Sequence, residues 1–540
     1  MDKNFKKSSI QNASFSILLQ IFFRCLTFVS NAFVLRHISQ DVIAVMNVRL
    51  LLLESTILFL SREAFRRACL SKTVNHNWVQ VINLLWLTVP LCCLLSAIFG
   101  WIWLTVLEIP DSAITRHYTI GVWTIIISCI MEMLIEPLDL VSQAFLFVKL
   151  RVVLDTIHVL MRTCIFISIV VLWPEGAVVA FSVAQISTVI VHIAGFLIYF
   201  SHYINERNNS KEDDSKNDFP FTSMTQFLPR IPEGQAVVDW NLCILTWTFM
   251  KQGVMKQVLT EGERYIMTLF SVLTFSEQGV FDIVNNLGSL AARLLFRPIE
   301  DNAYFYFSQR VHRDTPLPEQ SLSQITEAST VLRQLLRTVV SIGLVIFVFG
   351  QAYARLALLL YGGNRLATGL APWLLRAHSL AILFIAVNGT TEGYSLATMD
   401  ANQLNRFNKW MVILSIGFLF VSWLLTTLFG SLGFILANCC NMAARITHSI
   451  IFIKKQYERT YFNPLAGLIP GNKFLSTLAF SFIVTISSEV YFYDEAKVVH
   501  FFIGALCFLL VVATWAYEER ELFQVGVQKF RRHSLASKED

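Results

Sequence analysis

The chain has 540 residues, of which 55% are hydrophobic and 13% aromatic, while only 15% are charged and the net charge is +5. Soluble proteins carry about 25% charged residues, so this composition excludes a soluble multidomain enzyme, a disordered chain and a single-anchor protein with a large globular head. The apolar content supplies about 14 spans of roughly 20 residues each, and the fold class it predicts is an all-α polytopic membrane protein.

In chain order, hydropathy places spans at 13–35, 42–61, 79–107, 118–147, 150–172, 175–202, 243–274, 278–300, 329–360, 370–398, 409–429, 431–453, 473–490 and 498–517. The N-terminus has no short apolar core followed by a small-residue cleavage site, so the first apolar stretch is expected to stay as a span. The fourth span is interrupted at Glu136-Pro137 and is expected to bend there. The seventh carries Lys251, Lys256, Glu261, Glu263 and Arg264 and is the weakest by hydropathy. With the N-terminus in the cytosol, most of the loop basic residues fall on the cytosolic side. They include Lys3, Lys6 and Lys7, the group Arg62, Arg66, Arg67 and Lys72, the pair Lys454 and Lys455, and Lys529, Arg531 and Arg532. This positive-inside pattern puts both termini in the cytosol. The sequons at Asn12 and Asn208 then face the cytosol and that at Asn388 lies within a span, so none is expected to carry a glycan.

The segment 203–241, with HYINERNNSKEDDSKNDFP, reads as a cytosolic linker between two halves. The expected domains are a six-helix lobe at 1–202, a second at 242–455, two extra spans at 456–517 and a cytosolic tail at 518–540. A faint internal repeat supports this. Residues 41–66 align with 279–304, pairing Val42 with Val280, Val45 with Ile283, Asn47 with Asn285 and Glu63 with Asp301. Two such lobes imply a cavity between them, open to one side at a time.

Charged groups inside a bilayer are costly, about 2.5–3.5 kcal/mol each at a helix centre on insertion scales, so their helical phase marks where protein or water lies. The first span carries Gln20, Arg24, Thr27 and Asn31 on one face; the seventh carries Gln257, Glu261, Arg264 and Thr268. The second carries Asn47, Arg49 and Glu54, then Arg62, Glu63, Arg66 and Arg67. The eighth carries Asp282, Asn286, Ser289, Arg293 and Arg297, then Glu300 and Asp301. These four helices are expected to line the central cavity. Asn438, Asn441, Arg445 and His448 form a stripe on the twelfth span. On the fourth, Glu132, Glu136, Asp139 and Gln143 share a face, and on the fifth Arg151, Asp155, His158 and Arg162 do; these two stripes read more simply as mutual neutralisation within one lobe. Several arginines in a membrane cavity suit a phosphorylated, anionic ligand. The candidate site set is therefore Arg24, Asn31, Arg62, Glu63, Arg66, Arg67, Glu261, Arg264, Asp282, Arg293, Arg297, Glu300 and Arg445, with inter-lobe gating by salt bridges as the alternative role. No CxxC pair and no Walker-type GxxxxGK[ST] occurs, so no metal, cofactor or ATP hydrolysis is expected, nor a nucleic-acid partner.

The blocks NAFVLR (31–36), NVRLLLLESTILFLSREAFRRACL (47–70), KQVLTEGERYIMT (256–268), QGVFDIVNNLGSLAARLLFRPIE (278–300), NGTTEGY (388–394), GSLGFILANCCNMAARI (430–446) and PLAGL (464–468) resemble the Rft family of endoplasmic-reticulum membrane proteins across essentially the whole chain. The resemblance implies the multidrug/oligosaccharidyl-lipid/polysaccharide exporter fold, two six-helix lobes plus two helices. It also implies a job in N-glycosylation, moving a dolichyl-diphosphate-linked Man5GlcNAc2 oligosaccharide from the cytosolic to the lumenal leaflet. The partners it implies are that glycolipid and the surrounding lipid. A non-transporting accessory role, an ion-coupled exporter of another anionic substrate and a polytopic glycosyltransferase remain open, the last disfavoured by the short lumenal loops.

Overall fold

The computed structural model describes residues 28–520, apart from 71–76, 111, 146, 210–218, 233–235, 271 and 314. Most of the first expected span, with Gln20, Arg24 and Thr27, lies outside the described residues, as do Lys72, the sequon at Asn12 and most of the C-terminal tail. Every regular element among the described residues is helical. Ten helices are long and apolar enough to cross a membrane, and the chain is a multi-pass membrane protein. Of the remaining expected spans, the seventh, eighth and twelfth are helical but too polar to meet that measure.

Two compact units divide the chain, Met1–Gly279 and Val280–Asp540. The first begins with helical residues 28–35, then α1 (Gln40–Leu70), α2 (Trp78–Val106), α3 (Ser112–Leu134), α4 (Glu136–Ala144), α5 (Val148–Leu172), α6 (Ala177–Asn209), α7 (Trp240–Thr260) and α8 (Gly262–Leu269). Helix α9 (Phe275–Ala291) crosses the boundary. The second unit continues with α10 (Arg297–Arg310), α11 (Leu322–Gly362), α12 (Ala371–Thr398), α13 (Ala401–Phe429), α14 (Leu432–Tyr457), α15 (Asn472–Phe492) and α16 (Lys497–Glu518).

The breaks follow from local chemistry. Pro137 has no N–H and crowds the preceding turn, so the expected bend becomes a helix end at Ile135 and α4 starts anew with Pro137 in its first turn. The weak seventh span splits at Glu261, directly before Gly262. Between α9 and α10 the backbone widens into a π-helical stretch, Ala292–Phe296, just ahead of Pro298. A second π-helical stretch, Ala44–Leu50, lies inside α1. Asp400 and Gln403 form a capping box that starts α13, and Gly430, with φ of 60°, takes the left-handed residue that ends it.

The segment read as a linker is more structured than its charge suggests. Its first residues prolong α6 to Asn209. Beyond the undescribed 210–218, Phe219, Phe221 and Phe227 enter the core of the first unit, beside Phe200, Leu138, Leu140 and Leu85. Asn83 on α2 holds this strap, donating to the carbonyls of Arg230 (2.6 Å) and Val237 (2.8 Å) and accepting from the Arg230 N–H (2.9 Å). Trp86 Nε1 donates to the Phe227 carbonyl at 2.8 Å.

In the second unit, α15 and α16 dock on α11 through Val348, Phe474, Leu478 and Val511. Polar contacts fix the docking. Arg376 on α12 pairs with Glu489 on α15 at 2.6 Å, and Tyr353 stacks on His500 with ring centroids 4.3 Å apart. Glu518 at the end of α16 caps α15 by accepting from the N–H groups of Lys473 (2.9 Å) and Phe474 (3.1 Å). Large apolar side chains such as Trp101, Leu172, Ile198, Phe420, Phe480 and Leu509 point outward, as lipid requires, while backbone polar groups are satisfied within the helices.

Candidate functional site

Two polar clusters stand out, one in each unit. The first lies around a cavity of about 390 Å³ in the N-terminal unit, lined by residues of α1, α3, α4, α5 and α6. On α1, Arg62 and Arg66 are one turn apart and face two carboxylates that are also one turn apart. Arg62 Nη1 donates to Glu132 Oε2 at 3.0 Å. Arg66 donates twice to Glu136, with Nη2 to Oε2 at 2.8 Å, and also to Asp139. Arg151 on α5 reaches the other oxygen of Asp139 at 3.2 Å. Glu54 accepts from Gln185 of α6 at 2.8 Å and lies 3.9 Å from Arg162. His158 and His192 face the same space, their rings 5.4 Å apart.

The sign of this cavity differs from the sequence expectation. Its lining carries Arg62, Arg66 and Arg151 against Glu54, Glu132, Glu136, Asp139 and Asp155. The arginines are matched by carboxylates from neighbouring helices, which is what lets them sit at membrane depth. The stripes on the fourth and fifth spans do meet, through Arg151 and Asp139, and the second span joins them. Arg66 is largely buried and holds three hydrogen bonds to carboxylates; Arg62 keeps more exposure, 29% of its side chain, with one partner.

The second cluster joins α10, α12 and α14. Arg445 forks onto Glu392, with Nη2 at 2.6 Å from Oε1 and Nε at 3.1 Å from Oε2. Asn388, one turn before Glu392, donates to Glu392 Oε2 at 3.0 Å. Glu300 of α10 lies along the groove left by Gly389 and Gly393; a Cβ on Gly389 would stand 2.8 Å from Glu300 Oε2.

The remaining candidates are more dispersed. Glu63 and Arg67 pair with each other at 2.8 Å. Glu261 and Arg264 pair at 3.1 Å across the α7–α8 break. Asp282 is buried and accepts from Asn286 at 3.1 Å. Arg293 donates to the Asn286 carbonyl at 2.9 Å and is exposed, and Arg297 lies 3.8 Å from Asp301 on the surface. Asn31 is exposed on residues 28–35, and Arg24 is outside the described residues. Sequence reasoning missed Asn388, Glu392 and His192 as site residues. Asn388 and Glu392 stand at i,i+4 in the C-terminal half of α12, and that spacing was the available signal.

Arg49 lies in the π-helical stretch of α1 with no exposed surface. Its three guanidinium nitrogens have no hydrogen-bond partner among the described residues, and the group sits 5.1 Å from the Phe275 ring centroid.

Comparison with known proteins gives the family. The Rft protein family model matches residues 8–529. The Man(5)GlcNAc(2)-PP-dolichol translocation protein RFT1 of Xenopus tropicalis is 43% identical over 514 residues, 94% of each chain. That of Drosophila melanogaster is 42% identical over 558 residues, covering 98% of this chain and 99% of its own, and that of Mus musculus is 40% identical over 531 residues, 97% of each. Among solved structures, the lipid II flippase MurJ in an inward closed conformation superposes with a TM-score of 0.59 at 12% identity, covering 94% of this chain and 99% of its own. An inward-facing MATE family multidrug resistance transporter gives a TM-score of 0.52 at 10% identity, over 80% of this chain and 95% of its own. The two structures establish the transporter-like fold, and the family match and the relatives together establish that the chain belongs to the Rft family.

Proposed function

We propose that this chain translocates a dolichyl-diphosphate-linked Man5GlcNAc2 oligosaccharide from the cytosolic to the lumenal leaflet of the endoplasmic-reticulum membrane by alternating access, with both termini in the cytosol. The observation that carries the reading is the near full-length identity of about two residues in five to animal relatives named for that translocation. The basic loops on one side support the orientation, and the six-plus-six-plus-two arrangement of lobes is proposed with it. No bond is made or broken in such a transfer, so the chain needs binding and gating groups and no catalytic residue.

The cluster geometry divides the candidate arginines. Arg62 and Arg264 in the first unit, and Arg293 and Arg297 in the second, keep accessible surface, and each is proposed to meet the diphosphate. Arg66 and Arg445 are each forked onto carboxylates and are proposed to position helices. A volume of about 390 Å³ accommodates a diphosphate-sized group and not a heptasaccharide, so the glycan would travel outside this cavity. Entry of an anion there requires Arg62 to exchange Glu132 for phosphate.

The test is reconstitution of the purified full-length chain in proteoliposomes with lipid-linked oligosaccharide and a sidedness probe. Movement between leaflets, slowed by Arg62→Ala or Arg297→Ala in folded protein, is the expected result. Binding without movement would replace the transporter reading with an accessory one.

A further inference from the structure

The strap between α6 and α7 has two sides. Phe219, Phe221 and Phe227 enter the core of the first unit. Leu228, Ile231, Val237 and Trp240 are turned outward, and Ile231 and Trp240 are 86% and 74% exposed. Large apolar side chains exposed so close together mark an interaction surface.

The bonds to α2 set the depth of this surface. The 29 residues of α2, Trp78–Val106, span about 43 Å at about 1.5 Å each. That matches a bilayer of about 40–45 Å with its headgroups, around a hydrocarbon core of about 30 Å. Each headgroup layer is then about 5–7 Å deep. Asn83, which holds the Arg230 and Val237 carbonyls, lies about 7 Å along α2 from Trp78, and Trp86, which holds the Phe227 carbonyl, about 12 Å along. The strap thus runs at the level where headgroups meet hydrocarbon.

Its backbone suits that level. Irregular chain beside lipid needs protein partners for its polar groups. The carbonyls of Phe227, Arg230, Ala236 and Val237 all accept from side chains of α2, Gln80 Nε2 reaching Ala236 at 2.8 Å. The Arg230 N–H donates to Asn83, and the Leu228 N–H to the Thr225 carbonyl at 3.2 Å. Pro229 and Pro232 bring no N–H. The outward surface also continues onto α7, where Trp240, Ile244 and Trp247 are exposed at spacings that share one helix face.

We propose that residues 228–231 and 237–240 are a membrane-interface anchor. Leu228, Ile231, Val237 and Trp240 insert among the phospholipids of the leaflet at the Trp78 end of α2. Arg230, exposed between the first two, extends to the lipid phosphates. Tryptophan is the residue type favoured at this level. The partner is bulk phospholipid, and the contact is independent of any translocated glycolipid, so it stands or falls separately from the translocation reading.

The test uses the full-length protein in phosphatidylcholine nanodiscs, with a genetically encoded fluorescent amino acid in place of Ile231. The same label replaces Ile198, outward on α6, and Glu206, exposed near the end of that helix, as the lipid and water references. Phosphatidylcholine brominated on its acyl chains quenches from the lipid, and iodide quenches from water. The label at 231 should lose emission to the brominated lipid to an extent comparable with 198, and several-fold less to iodide than 206. Iodide quenching at 231 equal to that at 206 overturns the proposal, because the strap then faces water. Absence of quenching by brominated lipid overturns it too, because protein or water then covers the surface. Should the 231 variant fail to fold, the label at Trp240 is read in the same way.

Discussion

Arg66 is the residue for which the structure most alters the expected behaviour of a substitution. A diphosphate-capturing arginine could be removed with the fold intact. Arg66 instead bridges Glu136, whose side chain is 1% exposed, and Asp139, at 15%. Removing one partner of a buried pair leaves the other charge uncompensated and costs about 3–5 kcal/mol. Arg66→Ala is therefore expected to destabilise the first unit by that amount. Glu136→Ala should cost less, about 1–3 kcal/mol, because Arg66 keeps Asp139. The double variant should fall short of the sum by up to about 3 kcal/mol, since the two changes remove the same interaction. Arg62→Ala, which removes one hydrogen bond from the part-buried Glu132, should cost about 1–3 kcal/mol, less than Arg66→Ala. The assay is denaturant-induced loss of structure in purified protein in detergent, run on all four variants and the parent. Additive effects of Arg66→Ala and Glu136→Ala, or an Arg66→Ala protein as stable as the parent, would refute the clamp. Transport measurements on the same samples separate the roles: Arg62→Ala should be folded and slow, whereas loss of transport in Arg66→Ala should follow loss of fold.

Three other outcomes follow from specific contacts. Arg49→Met replaces a guanidinium without hydrogen-bond partners by an apolar chain of similar reach, and such exchanges are neutral or stabilising by about 1–4 kcal/mol. The thermal unfolding midpoint should hold or rise, and a clear fall would show that the Phe275 contact outweighs the burial cost. Asn83→Leu removes three hydrogen bonds to the 230–237 strap, each worth about 1 kcal/mol; limited proteolysis should then cut between 210 and 239 about ten to a hundred times faster, and unchanged cleavage would mean the buried phenylalanines suffice. Arg376→Ala strands Glu489 at the docking face of α15, and hydrogen exchange should speed up across α15 and α16 while α1–α6 keep their protection.

Much of the fold was legible because a bilayer imposes a strict rule: long apolar runs become helices, and breaks fall where the backbone cannot continue. Pro137 was readable in that sense, and the expected bend at Glu136-Pro137 appears as a helix end, whereas the break at Glu261 divides a stretch expected as one span. The strap was less legible. Its charge and its asparagines dominate the composition, whereas its place is set by three phenylalanines and by Asn83, more than a hundred residues earlier in the chain. No local pattern reports a partner at that separation.

The site was legible in its residue types and not in its pairings, for a physical reason. Helical phase tells which residues share a face, but a charge at membrane depth is tolerated through whichever neighbour meets it. Arg62 and Arg66 share a face as expected, and their partners, Glu132 and Glu136, lie 70 residues on. An arginine stripe therefore reads as an anion site until the carboxylates opposite are counted, and here they outnumber the arginines lining the cavity. The second unit shows the same matching: Arg445 is paired with Glu392, one of the carboxylates that sequence reasoning missed. Function in such a protein is to be sought where the pairing fails, and among the described residues the fully buried guanidinium of Arg49, with no hydrogen-bond partner at any of its three nitrogens, is one such place.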